Sequence, residues 1–347
     1  ITAWSLPFVY GLDGYSTSKK IELKKYKEKK VENLVDKKAI AYAGIWNHIN
    51  DAKFLSNLIE NEIKVRYTEK IIKNGSLALP HGSIIIYKGD QTNRNYEKIL
   101  LELADNYKIQ LHSIYSGISE SGPDLGSDSV KLIKEKNVAI LAGEGNSNSV
   151  SSLNYGAIWH FFEQELKYPL THLDVENFEN IELDEFDTLI IPSGYYGTLG
   201  NEKNLEKIKF WVSKGGSLIA FENAIRIFTN KDGFSIKLKR NKSENNQEDI
   251  KYEDLNRNRI QNYLSGAIFK VNLDNTHPLA FGYPNEYYSL KTSTSTYENH
   301  NGGYNVGKIN EDDDSTIGFV GDNIKDKFKN SLVFGHEKLG RGNMIYF

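Results

Sequence analysis

Apolar positions along the chain fall into two periods. Val138, Ile140 and Leu141 make a short unbroken run that fits a buried strand. Gly143 and Gly145 interrupt it, and a loop rich in Asn and Ser follows. Tyr155, Ile158, Trp159, Phe162 and Leu166 then recur at helical spacing, until Tyr168-Pro169 stops the helix. Residues 137–169 therefore predict a strand, a loop and a helix, the opening unit of an open α/β sheet. Ligands of such sheets sit just past the carboxyl ends of strands, which makes this loop the first place to look for one.

The two periods alternate on either side of this unit. Upstream, residues 39–43, 65–67, 83–87 and 110–114 predict strands, and residues 51–63 and 95–107 predict helices. That alternation predicts parallel pairing with helical crossovers, in a small α/β domain over residues 38–135. Downstream, DTLIIP at 187–192 predicts a strand and Ser193-Gly194-Tyr195-Tyr196-Gly197 a loop at its carboxyl end. A helix is predicted over 202–214, with Leu205, Ile208, Trp211 and Val212 inward and Gly215-Gly216 ending it. A strand at 217–221 turns through Glu222-Asn223-Ala224 into a helix at 225–228. Residues 237–258 form a charged insertion, and alternation at 266–273 with strands at 315–320, 331–334 and 343–347 gives a β-rich end. The expected fold class is α/β, with two open α/β domains at 38–135 and 136–347. Residues 1–37, with their aromatic anchors, read as the last piece of a preceding domain followed by a Lys/Glu-rich linker.

Composition narrows the function classes. A net charge of −3 supplies no basic field, so no nucleic-acid partner is expected. No apolar run approaches the ~18–20 residues of a membrane span. The chain has no cysteine, which excludes a disulfide framework, a thiolate metal site and a cysteine nucleophile. It begins at Ile1 without an initiator Met and ends in the apolar run Met344 to Phe347. Both ends are expected to be cuts inside a longer protein.

Several residues suggest chemistry, each beside a plainer reading. Gly143-Glu144-Gly145 can cradle an anion with its amides, or be a tight loop that needs glycine. Glu144 and Glu222 both follow strands and can act as a carboxylate pair if they converge, or stay as surface carboxylates. Tyr195-Tyr196 can line a peptide or sugar groove, or simply pack. His160 and Glu163 form an H-x-x-E at helical spacing, which permits a metal or is a coincidence on a helix surface. The remaining histidines show no ligand spacing, and His277 reads as a turn residue. Ser193 lacks a placeable His and Asp partner.

Two resemblances add to this reading. The order strand, glycine loop, helix, LIIPSG and GGSLIAFENA resembles the flavodoxin-like, class I glutamine amidotransferase-like fold. In that family a sharp turn carries a nucleophilic Cys. Here the matching stretch is Ala220-Phe221-Glu222-Asn223-Ala224, so the turn is degenerate: Glu222 takes the nucleophile position and Asn223 follows it. A carboxylate there cannot run thiolate chemistry.

A second resemblance covers nearly the whole chain. TAWSLPFVYGLDGY (2–15), SGPDLGSDSV (121–130), NYGAIWHFFEQELKYP (154–169), LSGAIFKVNLDNTHPLAFGY (264–283) and the terminal SLVFGHEKLGRGNMIYF are similar to the downstream region of Bacteroidetes-type zinc carboxypeptidases. It implies a non-catalytic accessory region with no catalytic residue, metal or cofactor of its own. Zinc and the peptide substrate would belong to a peptidase domain upstream of Ile1. It further implies a periplasmic or secreted location, contact with that upstream domain and a possible homo-oligomer. The competing expectations are an independent amidotransferase-like hydrolase using Glu222 or Glu144, and a peptide- or carbohydrate-binding module.

Overall fold

A computed structural model describes residue 7 and residues 12–27, 31–240, 250–311 and 315–347. Much of the first motif and the middle of the expected charged insertion lie outside the described residues. The chain is α/β, with a five-stranded and a ten-stranded sheet.

The first sheet is built from β1 (Ala41–Gly44), α1 (Ile49–Glu60), β2 (Arg66–Thr68), the hairpin β3 (Ile72–Asn74) and β4 (Leu77–Leu79), β5 (Ile84–Tyr87), α2 (Tyr96–Tyr107), β6 (His112–Ile114) and β7 (Val130–Leu132). Its strand order is β6-β1-β5-β2-β7, and every neighbouring pair is antiparallel. This corrects the expectation of parallel pairing, and the reason is topological. β1 and β2 do run the same way through α1, and β5 and β6 do so through α2. Each crossover steps over one strand that the other unit supplies, as in split β-α-β folds. Tyr42, Ile84 and Ile86 face both helices, through Phe54, Leu58 and Leu100. Ala41, Ala43 and Ile85 face the hairpin through Ile72 and Leu79.

The second sheet begins with β8 (Val138–Ala142), the short β9 (Asn148–Val150) and α3 (Ser152–Trp159), which continues as a π-turn over His160–Glu165. β10 (Thr171–Asp174), β11 (Thr188–Ile191), the short β12 (Gly194–Tyr196), α4 (Glu202–Lys214) and β13 (Ser217–Ala220) follow. After α5 (Leu255–Gln261) come β14 (Leu264–Leu273), β15 (Glu286–Lys291), β16 (Tyr304–Ile309), β17 (Ile317–Val320), α6 (Asp322–Phe328), β18 (Ser331–Leu339) and β19 (Gly342–Tyr346). The order is β10-β8-β11-β13-β19-β18-β16-β14-β15, with β17 also on β14.

The first five strands of that order are parallel, and the rest are antiparallel. Taken in chain order, the parallel part is 2-1-3-4-5, the flavodoxin-like arrangement. Its inner strands β8 and β11 are apolar on both sides because helices cover both faces, while the edge strand β10 is polar and largely exposed. Ala139, Leu141, Leu189 and Leu218 meet α4 through Leu205, Ile208, Trp211 and Val212. Each buried Leu, Ile or Val among them contributes roughly 1.5–3 kcal/mol. Val138, Ile140 and Ile190 meet α3 through Ile158. The expected helix at 225–228 is a 3-10 helix over Glu222–Ile227. The two sheets' units touch where the His81 ring stacks on Phe281 at 5.5 Å and Lys53 pairs with Glu165.

Candidate functional site

The flavodoxin-like order puts a crevice between β8 and β11, where neighbouring chain connections leave in opposite directions. Both loops at that crevice carry predicted site residues, and they zip together. β9 and β12 pair antiparallel, with Tyr195 opposite Ser149 and Tyr196 opposite Asn148. Asn148 is buried and anchors the ribbon. Its Nδ2 donates to Glu176 Oε1 at 2.9 Å and to Thr198 Oγ1 at 2.6 Å, and its Oδ1 accepts from the Leu199 amide at 3.2 Å. The crevice is thus closed by the protein's own backbone.

The glycines of this loop serve the turn. Gly143 has φ +95°, and the Gly145 amide donates to the Asn148 carbonyl at 2.9 Å. A Cβ on Gly145 would fall 2.1 Å from the Glu176 side chain. An anion here would find that amide spent and a carboxylate beside it. Glu144 is exposed and bridges to Ser149. Tyr195 is 70% exposed and lies on the outside of the ribbon.

Glu222 is placed differently. It follows β13, two strands from β8 in the sheet, and it lines a cavity whose walls do not include Glu144, so the two carboxylates do not share that site. Its φ is +47°, a left-handed conformation that is strained for a residue with a Cβ. Its amide donates to the Phe347 carbonyl at 2.8 Å, which holds the elbow against the end of β19.

Glu222 and Asn223 line a cavity of about 470 Å³ between the elbow and the antiparallel extension. Phe221, Ile225, Leu279, Phe334 and Phe347 supply apolar wall, and Tyr283, Tyr287 and Tyr297 add aromatic surface. The Phe221 and Phe347 rings stack at 5.2 Å, and Phe347 stacks on Phe334 at 4.2 Å. Ser289, Lys291, Thr292, Ser293 and Ser295 form a polar strip along one wall. The stretch from Pro278 to Tyr283 forms another, and Phe281 within it is held by His81 of the first unit. Burial lowers the Lys291 pKa, and the charge of Glu222 opposes that shift. Burial pushes the Tyr297 hydroxyl up to about 12, so it stays a neutral donor. Lys291 carried no signal in the sequence: it is one Lys in a polar strand, and its partner in the cavity lies 69 positions upstream.

A buried histidine network lies beside the sheet. The Leu279 amide donates to His277 Nδ1 at 3.2 Å, which leaves Nε2 as the protonated nitrogen. His277 Nε2 lies 3.0 Å from His336 Nδ1, and His336 Nε2 lies 3.0 Å from Asn343 Oδ1. Asn343 Nδ2 donates to Ser217 Oγ at 3.0 Å. No spacing along the chain reveals it, because the partners come from β13, β18, β19 and the turn at 277.

Among the described residues no group of three or more His, Asp or Glu is placed to hold a metal. His160 and Glu163 sit in the π-turn, where Glu163 accepts from Trp159 Nε1 at 2.7 Å and contacts His172 Nε2 at 3.0 Å. Glu163 is therefore engaged rather than simply solvated. No helix among the described residues is long and apolar enough to cross a membrane.

No family model and no curated protein sequence matches the chain. Solved structures similar to part of it include an exo-β-1,4-mannosidase from Opitutaceae bacterium strain TAV5 (TM-score 0.32, 11% identity, covering 60% of this chain and 30% of that one). A ThuA-like protein from Bacteroides uniformis (0.35, 9%, 61% and 80%) and a glutamine amidotransferase from Thermotoga maritima (0.35, 10%, 61% and 74%) are similar as well. The chain spans less than a third of the length of the mannosidase.

Proposed function

We propose that the chain is a non-catalytic accessory region of a secreted or periplasmic zinc carboxypeptidase, and that it binds a small ligand in the elbow cavity. The parent, its zinc, its peptide substrate and its location rest on the resemblance of the sequence blocks. The ligand site rests on one observation: the elbow after β13 presents a carboxylate, Glu222, to a mainly apolar cavity of about 470 Å³. That volume lies in the range of small-molecule sites, roughly 300–1,000 Å³. A carboxylate at the elbow offers charge and hydrogen-bond acceptance, and no thiolate to acylate.

The test is a titration of the purified chain with the uncharged dye N-phenyl-1-naphthylamine, alongside assays of peptide and amide hydrolysis. One saturable dye site with no hydrolysis is expected. Absence of saturable binding overturns the ligand reading. The strained φ of Glu222 favours a second reading, an amidotransferase-like hydrolase using this carboxylate, since strain collects at working sites. Hydrolysis that disappears in Glu222→Gln would establish that reading and overturn the first.

A further inference from the structure

The chemistry of the cavity wall narrows the ligand, granted that the elbow cavity is a ligand site at all. Of its lining side chains only those of Glu222 and Lys291 carry a formal charge, one of each sign. They come from different elements, the turn after β13 and the end of β15, and they do not form an ion pair with each other. Lys291 is partly buried, and Glu222 is the charge that most offsets its desolvation. Lys291 is left partly desolvated in a mainly apolar chamber without a direct ionic partner among the described residues, while the exposed Glu222 sets a negative charge at the same cavity.

We infer that the cavity takes a free α-amino acid with an apolar side chain, its carboxylate toward Lys291 and its ammonium toward Glu222. A simple anion would meet Lys291 but be repelled by Glu222, and a simple cation would meet the reverse. A dipolar head satisfies both and brings no net charge into the chamber. The hydroxyls of Ser289, Thr292 and Ser293 flank Lys291 and can donate to the same carboxylate. Phe221, Phe334 and Phe347 supply flat apolar surface for the side chain.

Isothermal titration of the whole chain with L-phenylalanine, N-acetyl-L-phenylalanine and L-phenylalaninamide tests this. The wild type is expected to bind L-phenylalanine at least ten-fold more tightly than either derivative. In Glu222→Gln the N-acetyl compound, which lacks the ammonium, should equal or exceed L-phenylalanine. In Lys291→Met the amide, which lacks the carboxylate, should equal L-phenylalanine. Equal binding of all three compounds to the wild type overturns the inference. So does binding of the uncharged dye with none of the three, which leaves the cavity as a ligand site of another kind. Loss of the dye as well overturns both. Glu222 is exposed, so Glu222→Gln is expected to fold and keeps the test decisive if Lys291→Met does not.

Discussion

Glu222 donates its amide to the carbonyl of Phe347 at 2.8 Å while its own φ is +47°. The bond fixes the elbow to the end of β19 and holds a residue with a Cβ in the left-handed region. Glycine adopts that conformation freely, whereas other residues lose about 1 kcal/mol or more there. Glu222→Gly should therefore be more stable than Glu222→Ala by about 1 kcal/mol in urea unfolding. Equal stabilities would mean the elbow relaxes in solution.

Asn148 is the pin of the closed crevice. Replacing it with Ala removes three hydrogen bonds and leaves Thr198 and Glu176 without their shared donor. A loss of about 2–3 kcal/mol is expected. Hydrogen exchange should rise at the amides of residues 148–150 and 194–196, which checks that the β9–β12 ribbon is what opens.

Glu337 is buried, with one carboxylate oxygen accepting from the Ser235 amide at 2.9 Å and the other from the Tyr346 hydroxyl. Tyr346→Phe keeps the ring's packing and removes that donor. The cost is expected at about 1–3 kcal/mol, and it should be larger than for Tyr195→Phe on the exposed ribbon. Chemical denaturation of the two variants compares them.

Buried His277, His300 and His336 all have their pKa held below the ordinary value, chiefly by desolvation. His336 also repels His277 and His300, and Lys338 repels His277 and His336. Glu337 pulls His300 and His336 the other way. The unfolded chain takes up protons first, near pH 6.5, so stability is complete above that pH and falls as pH drops below it. Each histidine contributes a slope of up to about 1.4 kcal/mol per pH unit. Unfolding free energies measured from pH 7.5 to 5 should fall, and fall less steeply in His336→Gln.

The sequence was most legible where structure is local. The helix over 202–214 follows from the spacing of Leu205, Ile208, Trp211 and Val212 and from Gly215, and α4 occupies those residues. The apolar run at 138–141 and DTLIIP at 187–192 predict strands for the same reason, and β8 and β11 occupy them. Pairing partners were less legible. Nothing near β1 or β2 says that β5 inserts between them, so the antiparallel first sheet was missed. The candidate loop at Gly143 was found, but its closure depends on Asn148 reaching Thr198, 50 positions away. Glu222 is singled out in the sequence through the family turn. Lys291 is not, because its meaning comes only from the cavity it shares with Glu222.

The central claim is that the ligand site is the cavity at Glu222 and not the crevice loop at Gly143. Ser289 lines that cavity and Tyr195 lies on the crevice ribbon. The most direct measurement is therefore dye titration of Ser289→Trp, which fills the cavity with an indole, against Tyr195→Ala. The expected result is loss of N-phenyl-1-naphthylamine binding in Ser289→Trp and unchanged binding in Tyr195→Ala. Binding that survives Ser289→Trp and disappears in Tyr195→Ala would contradict the claim and return the site to the crevice.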